Sequence, residues 1–131
     1  MRSTDALEAA IDAGADFGVS PSFDPAVLSG AFAHGLPFVP GALTPTEIDV
    51  AWRAGATFVK LFPASSVGPT HVRELRGPMA EIELIPSGGI DGSSAGAYLA
   101  AGAVGVGIGG AIVKADAEQR HALVAAIRAA A

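Results

Sequence analysis

Lys60 stands alone inside the apolar run Phe58-Val59-Lys60-Leu61-Phe62, which Pro63-Ala64 closes. A run of this kind reads as a buried strand, where an unpaired ammonium is expensive to desolvate. A lysine in that setting is paired with an opposite charge, or snorkels, or is chemically employed. Its stem can pack along apolar surface while its head reaches water. Alternatively, burial lowers its pKa and leaves a neutral amine. A neutral amine attacks a ketone and forms a Schiff base, the entry to aldol chemistry. Pro63 ends the strand, so Lys60 lies near its C-terminal end, where parallel α/β folds place their chemistry.

Two glycine turns are the next candidates. Ser87-Gly88-Gly89-Ile90 follows a strand pattern and precedes a helical one. Glycines let backbone N–H groups approach a phosphate, and a helix N-terminus favours negative charge. Gly107-Ile108-Gly109-Gly110 is a second such turn after the last strand pattern. Phosphate held between the last two βα loops is a recurrent barrel arrangement. Either turn taken singly is equally well a plain turn. Gly105, Gly107 and Gly110 match G-x-G-x-x-G, but within a strand and too near the end of the sequence for a dinucleotide unit. His34, His71 and His121 have no metal-ligand spacing, Trp52 and Tyr98 read as packing residues on helices, and no Ser-His-Asp order stands out.

These residues need a scaffold, and 131 residues suffice for one domain with a genuine core. Half the residues are hydrophobic and 16% are charged, which excludes a disordered chain. The net charge of −5, without a basic cluster, argues against nucleic acid. With no cysteine, disulfides and thiolate metal sites are excluded. The N-terminus does not read as a signal peptide. The uncharged stretch from Gly92 to Val113 is long enough to suggest a membrane span, but glycines and serines punctuate it. The expectation is a soluble cytoplasmic protein without membrane partners.

Helical and strand patterns alternate along the chain. Helices are expected over 4–13, 24–34, 44–55, 70–76, 93–101 and 115–130, the last amphipathic. Strands are expected over 16–20, 36–39, 57–62, 81–85 and 104–108. Pro40-Gly41 ends the second strand. Thr44 and Glu47 have the spacing of a capping box. Ala13-Gly14-Ala15, Ala54-Gly55-Ala56 and Ala101-Gly102-Ala103 each join a helix to a strand. Such alternation predicts an α/β fold with a parallel sheet. Repetition of the joint suggests similar βα units around a barrel, of which five strands supply only part.

Read in order, Ala15-Asp16-Phe17-Gly18-Val19-Ser20-Pro21, Pro40-Gly41, Phe58 to Ala64, Pro86-Ser87-Gly88-Gly89-Ile90 and Gly107-Ile108-Gly109-Gly110 resemble the KDPG/KHG aldolase family. The lysine strand with its Phe-Pro-Ala ending is the most specific element. The resemblance implies a class I, Schiff-base aldolase that uses no cofactor and no metal. It would cleave 2-keto-3-deoxy-6-phosphogluconate to pyruvate and glyceraldehyde 3-phosphate, or 4-hydroxy-2-oxoglutarate to pyruvate and glyoxylate. It implies that Lys60 is the Schiff-base lysine. Ser87, Gly88 and Gly89 would meet the substrate phosphate and carboxylate, Gly109 and Gly110 would form the second phosphate loop, and Pro40-Gly41 would line the pocket mouth. It implies a trimer of (β/α)8 barrels, with residues 1–131 the C-terminal portion of one barrel, about five βα units.

The departures from the family pattern are specific. The family's first strands, N-terminal helix, glutamate general base and nearby arginine have no counterpart. The resemblance therefore implies coding sequence ahead of Met1 for a Gly-Ala-Gly-Thr turn and a glutamate-bearing strand. Ala111 stands where the family often has a serine hydroxyl toward phosphate, and Asp91 reads as a helix cap more than a replacement base. The rival reading is an inactive fragment or phosphate-binding remnant that survives by association.

Overall fold

The computed structural model describes residues 1–130, which form two compact units, Met1–Phe62 and the chain from Pro63 onward. The fold is α/β, with parallel strand pairing and seven α-helices among the described residues.

In the first unit, α1 (Thr4–Asp12) starts where the Ser3 hydroxyl accepts a hydrogen bond from Ala6 N. Its end is turned by Gly14 at φ 77°, a conformation that disfavours any residue with a Cβ. Strand β1 (Gly18–Val19) pairs in parallel with β2 (Phe38–Val39), Gly18 opposite Phe38. Between them runs α2 (Pro25–Ala33), whose Asp24 carboxylate accepts from Ala26 N and Val27 N. Strand β3 (Gly41–Ala42) pairs in parallel with β4 (Val59–Leu61), Gly41 opposite Lys60 and Ala42 opposite Leu61. Helix α3 (Pro45–Arg53) joins β3 to β4 behind the expected capping box: Glu47 N donates to Thr44 Oγ1, and Thr44 N donates to Glu47 Oε2. Leu7, Leu28, Ile48, Val59 and Leu61 are among the fully buried side chains. Each contributes about 1.5–3 kcal/mol relative to exposure.

The second unit opens with a 3₁₀ turn (Ala64–Ser66) and α4 (Gly68–Arg76). Strand β5 (Leu84–Pro86) follows, then α5 (Ala95–Ala100), α6 (Gly110–Lys114) and α7 (Ala117–Ala130). Val72, Leu75, Ile82, Leu84, Ala95 and Tyr98 are buried. Helix α7 packs on α5. Leu123 closes over Gly92, where an added Cβ would lie 2.7 Å from its Cδ1.

Several elements differ from the sequence expectation. The strand expected over 104–108 reduces to one parallel bridge between Ser87 and Gly107. Its glycines supply no side chains to pack on the pleat. The strand expected over 36–39 shortens to β2 and ends before Pro40, as expected, but a further strand that the sequence did not show, β3, starts at Gly41 and pairs with β4. Pro40, without an N–H, separates the two, and its carbonyl accepts from Lys60 N. The strand expected over 16–20 shortens to β1 and leaves Phe17 62% exposed. The helix expected over 115–130 is α7, and the short α6 ahead of it was not expected. A second reciprocal cap, between Asp116 and Gln119, starts α7 afresh after α6. No helix among the described residues is long and apolar enough to cross a membrane.

Candidate active site

β4 carries the lysine. Val59 and Leu61 are buried, while Lys60 between them is half-buried, as alternation along a strand requires. The backbone on either side is held to the neighbouring strand: Lys60 N donates to Pro40 O at 2.9 Å, and Phe62 N donates to Ala42 O at 2.9 Å. The Lys60 side chain has no hydrogen-bond or ion-pair partner among the described residues. Its Nζ lies 4.4 Å from the centroid of the Phe62 ring. Desolvation pushes its pKa below the ordinary lysine value of 10.5. The Phe62 ring face acts in the opposite sense, favouring the charged ammonium.

Phe62 also forms part of a cleft of about 350 Å³, with Pro21, Phe23, Gly41, Leu43 and Glu47 among its other walls. Gly41 lies opposite Lys60 across β3 and β4 and lines the cleft, while Pro40, just before β3, is buried and is hydrogen-bonded to Lys60 through its carbonyl. Gly41 starts a strand, where the sequence suggested only the end of one, and its missing side chain is a packing requirement. A Cβ there would lie 2.8 Å from Ser22 N and would overlap the Pro21 carbonyl outright.

Glu47 is the carboxylate on the cleft wall. Its Oε2 accepts from Thr44 N at 2.9 Å and from Leu43 N at 3.0 Å. Those bonds, Thr44's the larger effect, hold its pKa below the ordinary 4.5. It is bound as a cap, and as a proton acceptor it is weak.

The glycine loop belongs to the second unit. Ser87 and Gly88 are half-buried, and Gly88 and Gly89 adopt φ of 90° and 75°. Ala64 N donates to Ser87 O at 2.8 Å, and Ser65 N donates to Gly88 O at 3.1 Å. The bridge to Gly107 brings the second loop beside the first, and a Cβ on Gly107 would lie 2.6 Å from Ser87 Oγ. Gly109 caps α6 and Gly110 is its first residue, both exposed, with exposed Ala111 next. Asp91 is a local cap. Its Oδ1 accepts from Ser93 Oγ, Ser93 N and Ser94 N, and these bonds, the Ser93 hydroxyl's foremost, depress its pKa.

Sequence reasoning did not single out Phe62 as the group under the lysine, although its place in the same strand, two residues on, was a usable signal. It read Tyr98 as packing alone. The Tyr98 ring is buried and its hydroxyl donates to Ala64 O at 3.0 Å. A buried phenol nearly always needs such a partner, but the sequence does not say which.

Among known proteins, the 2-dehydro-3-deoxy-phosphogluconate aldolase of Treponema pallidum is 39% identical over 89 residues, covering 67% of this chain and 42% of that protein. A probable 2-dehydro-3-deoxy-6-phosphogalactonate aldolase of Rhizobium meliloti is 34% identical over 113 residues, covering 86% and 53%. A solved 4-hydroxy-2-oxoglutarate/2-dehydro-3-deoxyphosphogluconate aldolase superposes with a TM-score of 0.86 at 35% identity, covering 98% of this chain and 65% of that one. The chain thus spans about half the length of the curated relatives it matches. The family model for KDPG and KHG aldolases matches residues 2–129, a span that takes in both the lysine strand and the glycine loops, and the chain belongs to that family.

Proposed function

We propose that the protein is a class I aldolase acting on 2-keto-3-deoxy sugar acid phosphates, with Lys60 as the imine-forming residue. The observation that carries this reading is the half-buried, unpaired Lys60 amine over the ring of Phe62, a residue that lines the cleft. The neutral amine adds to the C2 ketone, and loss of water gives an iminium. The iminium accepts the electron pair of the C3–C4 bond as it breaks. The C4 hydroxyl loses its proton as it becomes the aldehyde carbonyl, and the enamine is protonated at C3. Water then hydrolyses the pyruvate iminium and regenerates the amine. Ser87, Gly88, Gly89, Gly109 and Gly110 are proposed to receive the phosphate and carboxylate, and Pro40 and Gly41 to line the pocket mouth. Residues 1–131 are proposed as one C-terminal portion of a (β/α)8 barrel that works as a cytoplasmic trimer.

The relatives' names divide between gluconate and galactonate phosphates, and 4-hydroxy-2-oxoglutarate is the shorter, unphosphorylated alternative. A second reading is an impaired chain that forms the imine and binds phosphate with little turnover. It draws on Glu47, the cleft carboxylate, being engaged as a helix cap. Positioned acid–base groups contribute about 10²–10⁴ in rate.

Borohydride trapping with pyruvate, read by peptide mass, tests the proposal. The adduct is expected on Lys60; the chain's other lysine is Lys114. No adduct in folded protein, or an adduct on Lys114 alone, would overturn it. Coupled pyruvate-release assays on the three keto acids then rank the substrates. Imine trapping without measurable release favours the second reading.

A further inference from the structure

We propose that Tyr98 is a positioning residue for the Ser87–Gly89 loop, acting through the 3₁₀ turn, and that it thereby sets affinity for the phosphate group of the substrate. The inference rests on the reading of that loop as a phosphate site. Three hydrogen bonds run in sequence. The buried Tyr98 hydroxyl donates to Ala64 O at 3.0 Å, Ala64 N donates to Ser87 O at 2.8 Å, and Ser65 N donates to Gly88 O at 3.1 Å. The Ala64–Ser65 peptide carries the load on both faces: its carbonyl accepts from Tyr98 on α5 and its N–H donates to Gly88 of the loop, beside the Ala64 N–H on Ser87.

The loop has little other freedom. A Cβ at Gly89 would lie 2.6 Å from both Cβ and Oγ of Ser65, so the turn and the loop are in closest packing. On the far side Gly107 N donates to Pro86 O at 2.8 Å, and a Cβ at Gly107 would lie 2.6 Å from Ser87 Oγ. The loop is therefore wedged between the 3₁₀ turn and Gly107, and Tyr98 fixes where that turn sits. Burial raises the Tyr98 pKa, so the phenol remains a donor.

Tyr98→Phe keeps the ring and deletes the donor, leaving Ala64 O without its partner. Amide NMR of the intact chain, titrated with inorganic phosphate, reads the consequence. In the wild type, phosphate is expected to shift the Gly88 and Gly89 amide resonances. In Tyr98→Phe the phosphate Kd is expected to rise about fivefold, the ratio of one ordinary hydrogen bond. Exchange of the Ser65 amide is expected to quicken, while the Lys60 and Phe62 amides, bonded to Pro40 and Ala42, keep their wild-type exchange. Gly89→Ala approaches the same contact from the other side, and is expected to weaken phosphate as well.

The outcomes separate. A wild type whose loop amides ignore phosphate overturns the phosphate reading, and the proposal with it. Wild-type binding with an unchanged Kd in folded Tyr98→Phe overturns the positioning role alone. Weaker phosphate binding with amide exchange quickened at Lys60 and Phe62 as much as at Ser65 also overturns it, because a merely structural tyrosine would do that. Should Tyr98→Phe fail to fold, Gly89→Ala decides: unchanged phosphate affinity there refutes the wedge.

Discussion

Gly41→Ala is the sharpest test of how the cleft is built. The new Cβ would lie 2.8 Å from Ser22 N, at least about 0.7 Å inside ordinary van der Waals separation, and nearer still to the Pro21 carbonyl. The obstructing atoms are backbone, so no side-chain rotation relieves them. Strand β3 cannot slide either, since Lys60 N on Pro40 O and Phe62 N on Ala42 O pin it from both sides. Gly18 makes the contrast, because its hypothetical Cβ meets only the Phe38 ring and the Met1 side chain. Overpacking of a tight core typically costs 1–3 kcal/mol, and backbone obstruction puts Gly41→Ala near the top, at about 3 kcal/mol. For a chain of this length that lowers Tm by roughly 10 °C. Displacing β3 also displaces its partner Lys60, and misplacement by about 1 Å can cost 10² in rate. Circular dichroism melts and pyruvate–borohydride trapping would measure both. Gly14→Ala serves as control: it has open space but φ of 77°, so about 1 kcal/mol of strain is expected with trapping unaltered. If Gly41→Ala melts within about 2 °C of wild type and traps at the wild-type rate, the close-packing account of the cleft wall is wrong.

Lys60→Met is expected to abolish pyruvate trapping while raising stability at neutral pH, since it removes a partly desolvated cation; a variant that still traps would move the nucleophile elsewhere. In the wild type the trapping rate should climb with pH and reach half-maximum below 10.5, because the fold favours the neutral amine; the same depression makes the fold gain stability as pH rises toward the unfolded value. Thr44→Ala should cost about 1 kcal/mol in urea denaturation through loss of the α3 cap. Glu47→Gln should destabilise at pH 7, with the difference closing as pH falls below 4.5 through the lowered folded pKa; a pH-independent difference would assign Glu47 a packing role instead.

Much of the scaffold was legible because its signals are local. Thr44 and Glu47 form the expected capping box, and Gly14, Gly55 and Gly102, the centres of the three Ala-Gly-Ala joints, all take positive φ. Lys60 falls on a strand as its apolar neighbours require, and the family that the lysine strand and glycine loops suggested is the one the chain belongs to. What escaped depends on residues distant in sequence. Whether Gly41 ends a strand or forms one is settled by Lys60 N reaching Pro40 O across nineteen intervening residues. The 104–108 segment has strand composition but finds one bridge, since glycine leaves little to bury. Tyr98 could have been read as buried from its place on a helix, yet only the tertiary structure brings its hydroxyl to Ala64, 34 residues away. Composition and spacing thus determined most of the elements, their caps and the place of Lys60 on a strand, because propensity and burial act residue by residue. Tertiary contact decided the strand limits, the wall of the cleft and the fastening of the glycine loop, because a hydrogen bond or a steric stop needs both partners in place.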